Sequence, residues 1–260
     1  MMLPRTSAIR YMLSMREGGS MPALLDADDE RRYVVKLRGA GQGPRVLAAE
    51  FLSGEIARQL GLSVPRISGI QLDATFGKTE PDPEVRELFQ RSAGLNLGLE
   101  YLPQATMFDP VAGDRVSALE ASLVVWLDAF VRNVDRTPRN ANLLMRAGQL
   151  WLIDHGASLI VHFHWPSAQA KALDPFAPIA EHVLLPFASE ITEASACAHE
   201  QLTPEFFKGL IEAIPDEFLP EDDGVSLAEQ REGYRSFFAE RLQHSSIFEQ
   251  EVQRVRAQSV

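Results

Sequence analysis

NVDRTPRNANLL at residues 133–144, with WLIDHG at 151–156 shortly after it, decides how the rest of the chain is read. Apolar runs on either side of Arg146-Ala147-Gly148 predict a hairpin from Asn142 to Asp154. A hairpin brings its two ends together, so Asn142 and Asp154 become neighbours, with Asp135 in a polar loop just upstream. Hard oxygen donors with an open face suit Mg²⁺ that also holds substrate phosphates. Asp135 is then placed to accept a proton from an attacking hydroxyl. Asp and Asn favour turns in their own right. It is DRTPRN joined to a hairpin ending in IDHG that points to chemistry.

Upstream, Tyr33-Val34-Val35-Lys36-Leu37 reads as a strand, and Lys36 is an odd charge at the end of an apolar run. After the glycine-rich GAGQGP (39–44), Ala49, Leu52, Ile56 and Leu60 recur at helical spacing, predicting a helix from Val46 to Leu60 that Gly61 ends. Glu50 on that helix is a partner for Lys36. A lysine held by a helix carboxylate and aimed at phosphates is how kinase-type enzymes position a nucleotide. Gly18-Gly19-Ser20 suits a tight turn whose amides approach phosphates. RISGIQL (66–72) predicts a strand, and Asp73–Arg91 reads as a loop. GLNLGLEYL (94–102) returns to apolar character and ends at Pro103. The chain is strand-rich before this point and helix-rich after it, so two lobes are expected, 1–102 and 103–260. Ser117–Val134 predicts a buried helix, and the chain from Pro178 reads as mostly helical.

The chain has 260 residues, 45% of them apolar and 23% charged, which is ordinary globular usage and enough for a substantial core. The single cysteine, Cys197, excludes an internal disulfide and any CxxC metal or redox motif. No apolar run approaches the ~18 residues of a membrane span. No membrane partner and a cytoplasmic location are therefore expected. Of the net charge of −11, residues 181–260 carry −10, with 6 Lys and Arg against 16 Asp and Glu. Nucleic-acid binding needs clustered cations, so no nucleic-acid partner is expected.

Taken in order, MREGGSMPALL (15–25), YVVKL (33–37), VLAAEFLSGEIARQLGLSVP (46–65), DRTPRNANLL (135–144), LIDHGASL (152–159) and HVLLP (182–186) resemble the HipA-like kinases, within the protein-kinase-like superfamily. The resemblance implies that Gly18, Gly19 and Ser20 cover the phosphates and that Lys36 contacts them with Glu50 as partner. It implies a hinge at Glu100, Tyr101 and Leu102 whose backbone bonds adenine. Asp135 is the implied catalytic aspartate, and Asp154 the implied metal-binding aspartate, with His155 where protein kinases have phenylalanine. Asp135-Arg136 is also similar to the DRH loop of phosphatidylinositol kinases. Asn140 lies five residues after Asp135, the usual spacing of the metal asparagine, whereas Asn142 begins the apolar strand. Asn142 is favoured because the strand start fixes its distance from Asp154. No APE-like motif follows Asp154, so no ordinary activation segment is expected.

The expected fold is therefore α+β, a two-lobed protein-kinase-like arrangement with a strand-rich N-lobe and a mostly helical C-lobe. The expected activity is phosphoryl transfer from ATP, with Mg²⁺, to a hydroxyl acceptor, by analogy a protein Ser or Thr. Two rivals stand beside it: a pseudokinase whose output is a partner interaction, and a kinase of a small metabolite or lipid headgroup. A metal-dependent hydrolase leaves Lys36 and Glu50 without a purpose.

Overall fold

In the computed structural model, residues 2–14, 21–41, 43–221 and 224–259 are described, Ser259 by its backbone alone. Strands β1 (Arg5–Ser14), β2 (Ala23–Ala27), β3 (Arg32–Lys36), β4 (Ile67–Leu72) and β5 (Gly94–Glu100) form a closed barrel in the order β1-β2-β3-β5-β4. Four of its five seams are antiparallel. The closing seam is parallel, setting Arg5 against Gly69 and Ser7 against Gln71.

The period of two along β3 separates its side chains. Tyr33 and Val35 enter one core with Leu25, Ile70 and Leu72. Lys36 therefore lies on the other face, level with Leu97 of β5, where α1 (Arg45–Gln59) packs. The expected helix and its glycine stop are both present. Gly61 has φ +80° and its N–H donates to Arg58 O at 3.0 Å, a backbone state that favours glycine.

The expected loop at 73–91 contains a helix, α2 (Pro83–Arg91). Asp82 caps it by accepting from Glu84 N–H at 3.0 Å, and Pro83 occupies its first turn. Val85, Leu88 and Phe89 then fall on one face and complete the barrel core. The expected helix from Ser117 is α3 (Ala118–Val131), with Ser117 as its cap. It stops three residues before Val134 because Arg132 turns left-handed, with φ 59°. That conformation is held by Arg132 Nη1 donating to Lys171 O at 3.1 Å and Asp174 Oδ1 at 2.7 Å.

Strand β6 (Thr106–Met107) joins β7 (Leu143–Arg146) and β8 (Gln149–Leu152) in a second, small sheet. Ala147 and Gly148 link β7 to β8 at φ 51° and 79°, the two-residue turn that matches strand twist. The remaining helices are α4 (Ala168–Ala172), α5 (Ile191–Gln201), α6 (Pro204–Glu212), α7 (Leu227–Gln243) and α8 (Ser246–Ser259). Trp126 and Phe130 of α3 pack with Phe207, Phe238 and Phe248. One continuous apolar core runs from α1 and β5 through α3 to α8. No helix among the described residues is long and apolar enough to cross a membrane.

Candidate active site

Lys36 at the end of β3 is buried, 7% exposed, and Glu50 on α1 is fully buried. Lys36 Nζ lies 2.5 Å from Glu50 Oε2 and 2.5 Å from Asp154 Oδ1. Burial works against the charge on Glu50, yet Lys36 and the neighbouring His155 outweigh it and hold the carboxyl at about 2. Burial likewise opposes the charge on Lys36, and the two carboxylates overcome it and raise its pKa. Glycine is required at Gly156. A Cβ there would stand 2.7 Å from Val46 Cγ1 and 3.3 Å from Lys36 Nζ, so the backbone after Asp154 lies directly against α1. Ser53 Oγ of α1 and Ser158 Oγ are 2.7 Å apart, tying the same two segments together one turn further on.

The loop after α3 brings Asp135 to both candidate asparagines. Asn140 Nδ2 donates to Asp135 Oδ2 at 2.9 Å, and Asn142 Nδ2 to the same oxygen at 3.3 Å and to Asp135 O at 3.2 Å. With both amide nitrogens turned to Asp135, each Oδ1 has no hydrogen-bond partner among the described residues. Ile153 N–H donates to Asn142 O at 3.1 Å, one rung beyond the Leu143–Leu152 pair, so Asn142 and Asp154 flank the open end of the hairpin. Both are left-handed, with φ 49° and 55°. Asn and Asp tolerate that state better than most residues, and such strained backbone concentrates at functional sites.

Among the described residues, no group of three or more His, Cys, Asp or Glu side chains is placed to hold a metal ion by itself. That donor set fits Mg²⁺, which is bound through one or two carboxylates and completed by phosphate oxygens and water. The carboxylate of Asp154, 42% exposed, and the free amide oxygens of Asn142 and Asn140 are the oxygens available.

A second buried cluster lies behind the loop and has no counterpart among the residues expected from the sequence. Asp128 of α3 receives Arg136 Nε at 2.5 Å, His182 Nε2 at 2.9 Å and Asn133 Nδ2 at 3.0 Å. Leu184 N–H donates to His182 Nδ1 at 3.0 Å, which fixes the proton on Nε2 facing Asp128. Burial opposes the charge on Asp128, but Arg136 and His182 keep its carboxyl well below the usual range. Arg136 Nη1 then reaches Asn142 O at 2.5 Å. The signal in the sequence was a charged residue at the centre of the apolar run VVWLDAFV.

Of the expected hinge, Glu100 N–H is taken by Arg66 O at 2.9 Å and Tyr101 N–H by Arg32 O at 2.8 Å. Leu102 N–H alone of the three has no partner among the described residues. A cavity of about 500 Å³ is bounded by Glu100 and Leu102 together with Phe51, Arg58, Pro65 and Trp151, and by none of Lys36, Glu50 and Asp154. Gly18, Gly19 and Ser20 lie outside the described residues. His162 is fully buried, with Nδ1 2.8 Å from Tyr234 OH.

A profile of the HipA-like kinase family matches residues 9–243. Among solved structures, the Helicobacter pylori proinflammatory kinase CtkA is similar, with a TM-score of 0.60 at 11% identity and 99% of each chain covered. A Golgi casein kinase with Mn and ADP bound gives a TM-score of 0.49 at 12% identity, over 96% of this chain and 73% of that one. A sequence search of curated proteins finds no match. At such identity, the likeness to CtkA carries the fold, a kinase fold with a strand-rich first part and a helical remainder. The family match spans most of the chain, which therefore belongs to the HipA-like kinases and is a phosphotransferase.

Proposed function

We propose that the protein transfers the γ-phosphoryl group of ATP, with Mg²⁺, to a hydroxyl acceptor, a protein Ser or Thr being favoured by family analogy. The observation that carries this reading is Lys36 gripped by Glu50 from α1 and by Asp154 from the hairpin end, beside an Asp135 oriented by two amides. In this reading Lys36 contacts the phosphates and Glu50 holds it in place. Asp154 and Asn142 hold the metal, with Asn140 beside them. When bound, Mg²⁺ neutralises phosphate charge and orients the transferred group. Asp135 orients the acceptor hydroxyl and takes its proton, while its own carboxylate is steadied by Asn140 and Asn142. Gly18, Gly19 and Ser20 cover the phosphates, and the hinge Glu100, Tyr101 and Leu102 bonds adenine through backbone groups where the lobes 1–102 and 103–260 meet, Leu102 N–H being the hinge donor that neither Arg66 O nor Arg32 O takes.

The reading is tested by incubating the protein with γ-labelled ATP and Mg²⁺, with and without lysate, and identifying the labelled product by mass spectrometry. Label on protein Ser or Thr is expected. Label confined to small molecules or lipid makes the enzyme a kinase of those. Binding of Mg·ATP with no transfer to any acceptor or to water overturns catalysis and leaves the pseudokinase.

A further inference from the structure

Glu50 uses one carboxylate oxygen, Oε2, on Lys36. The other, Oε1, is buried without a hydrogen bond among the described residues, and so are both ring nitrogens of His155. The orphans are neighbours: His155 Nδ1 is 3.5 Å from Glu50 Oε1, beyond a good hydrogen bond, and both side chains are fully buried. Buried polar groups without partners are rare in native proteins, and adjacent ones call for a reason. A closure of about half an ångström would satisfy two of the three. The backbone around His155 is anchored for such a contact. His155 O accepts from Ser158 Oγ at 2.7 Å, Ser158 is bound to Ser53 of α1, and Gly156 is pressed against Val46.

Lys36 at present divides its donors between Glu50 and Asp154. In the kinase reading, on which this inference rests, phosphates and metal draw Lys36 and Asp154 apart, and Glu50 must then hold the lysine alone. We propose that His155 is the positioning residue for that state: its Nδ1–H donates to Glu50 Oε1, so that Oε2 stays aimed at Lys36. The ring at this position then acts by a polar contact with α1 rather than by apolar packing. The tautomer follows, since Nδ1 is the ring nitrogen that faces an acceptor.

The test compares His155→Phe, which keeps an aromatic ring but no donor, with His155→Asn, whose Nδ2 can take the place of Nδ1. Lys36 is proposed to hold the phosphates in ground and transition states alike, so the loss falls on KM and not on kcat. His155→Phe is expected to raise Kd and KM for Mg·ATP about tenfold with kcat within about threefold, and His155→Asn to recover most of the affinity. Nucleotide affinity equal to wild type in His155→Phe overturns the proposal, as does His155→Asn binding as weakly as His155→Phe. A second arm needs neither turnover nor nucleotide: ¹⁵N-resolved NMR of the histidine rings reads the tautomer of His155 in the wild type. A proton on Nδ1 is expected, and a proton on Nε2 alone overturns the proposal. If the wild type binds Mg·ATP but transfers nothing, the kinase reading fails while the affinity arm still judges His155.

Discussion

Glu50 is a fully buried carboxylate held at about 2 chiefly by Lys36, with His155 beside it. Lys36→Met leaves that charge without its cation, and breaking a buried pair from one side costs about 3–5 kcal/mol. Lys36→Met combined with Glu50→Gln removes both charges and should recover much of that loss in denaturant unfolding. ATP affinity should stay low in both variants, because the ligand for the phosphates is gone. Unchanged affinity and turnover in Lys36→Met would reduce Lys36 to a structural ion. The two aspartates divide differently. Asp154→Asn should lower metal-dependent ATP affinity and turnover together, whereas Asp135→Asn should still bind Mg·ATP and lose about 10²-fold or more in transfer rate. Calorimetric titration beside a transfer assay separates them, and equal loss of ATP binding in both variants contradicts the division. Within the same assays, Asn142→Ala should raise the Mg²⁺ requirement more than Asn140→Ala, the reverse ranking favouring the five-residue spacing.

The loop between α3 and β7 is held by Asp128, Arg136 and His182 more than by its own sequence. Arg136 bridges the Asp128 carboxylate and Asn142 O with separate nitrogens, a geometry that the point charge of lysine does not reproduce. Arg136→Lys should therefore keep the fold but lower transfer about tenfold or more, as misplaced catalytic groups do. Amide exchange should quicken at Val183, whose N–H donates to Arg136 O, and transfer and exchange both at wild-type rates would show that the loop holds itself. Asp128 and His182 are 54 residues apart, and no local pattern announces a pairing of that span. Local signals served far better where one element carried its own stop: Gly61 for α1, Ala147-Gly148 for the hairpin. The α2 helix was hidden in a charged stretch, although Asp82-Pro83-Glu84 is a start signal and Val85, Leu88 and Phe89 are spaced for one face. Lys36, Glu50 and Asp154 were legible as types, a charge in an apolar strand and a carboxylate on the next helix. Their mutual contact needed the barrel register that puts Lys36 opposite Leu97 and the face α1 covers.

At the scale of the whole molecule, the buried titratable groups set the pH range in which the core survives. Burial holds His162 down at about 3 and also lowers His182, against the partial support of Asp128. Below about pH 6.5 the unfolded chain binds protons at these sites that the folded chain does not, so stability falls with pH. Glu50 at about 2 and the lowered Asp128 add the same sign from about pH 4.5 downward, since their stabilisation is present above the unfolded carboxylate range and lost towards their folded values. On the alkaline side the sign reverses. Burial raises Tyr234, and Glu50 with Asp154 raises Lys36, so both contribute fully below about pH 10 and lose that contribution above it. Denaturant unfolding across pH should thus show stability falling below about pH 6.5, each group contributing up to about 1.4 kcal/mol per pH unit over its own interval. Because one apolar core joins α1 and β5 to α3 and α8, the fall should appear as a single transition by fluorescence and by far-ultraviolet circular dichroism. His162→Phe removes one titrating group while filling the site, so its stability should fall less steeply between pH 6.5 and 4.5 than that of the wild type. A wild-type slope retained in His162→Phe would show that His162 does not titrate between the folded and unfolded states, and that the acid limb belongs to His182 and the carboxylates.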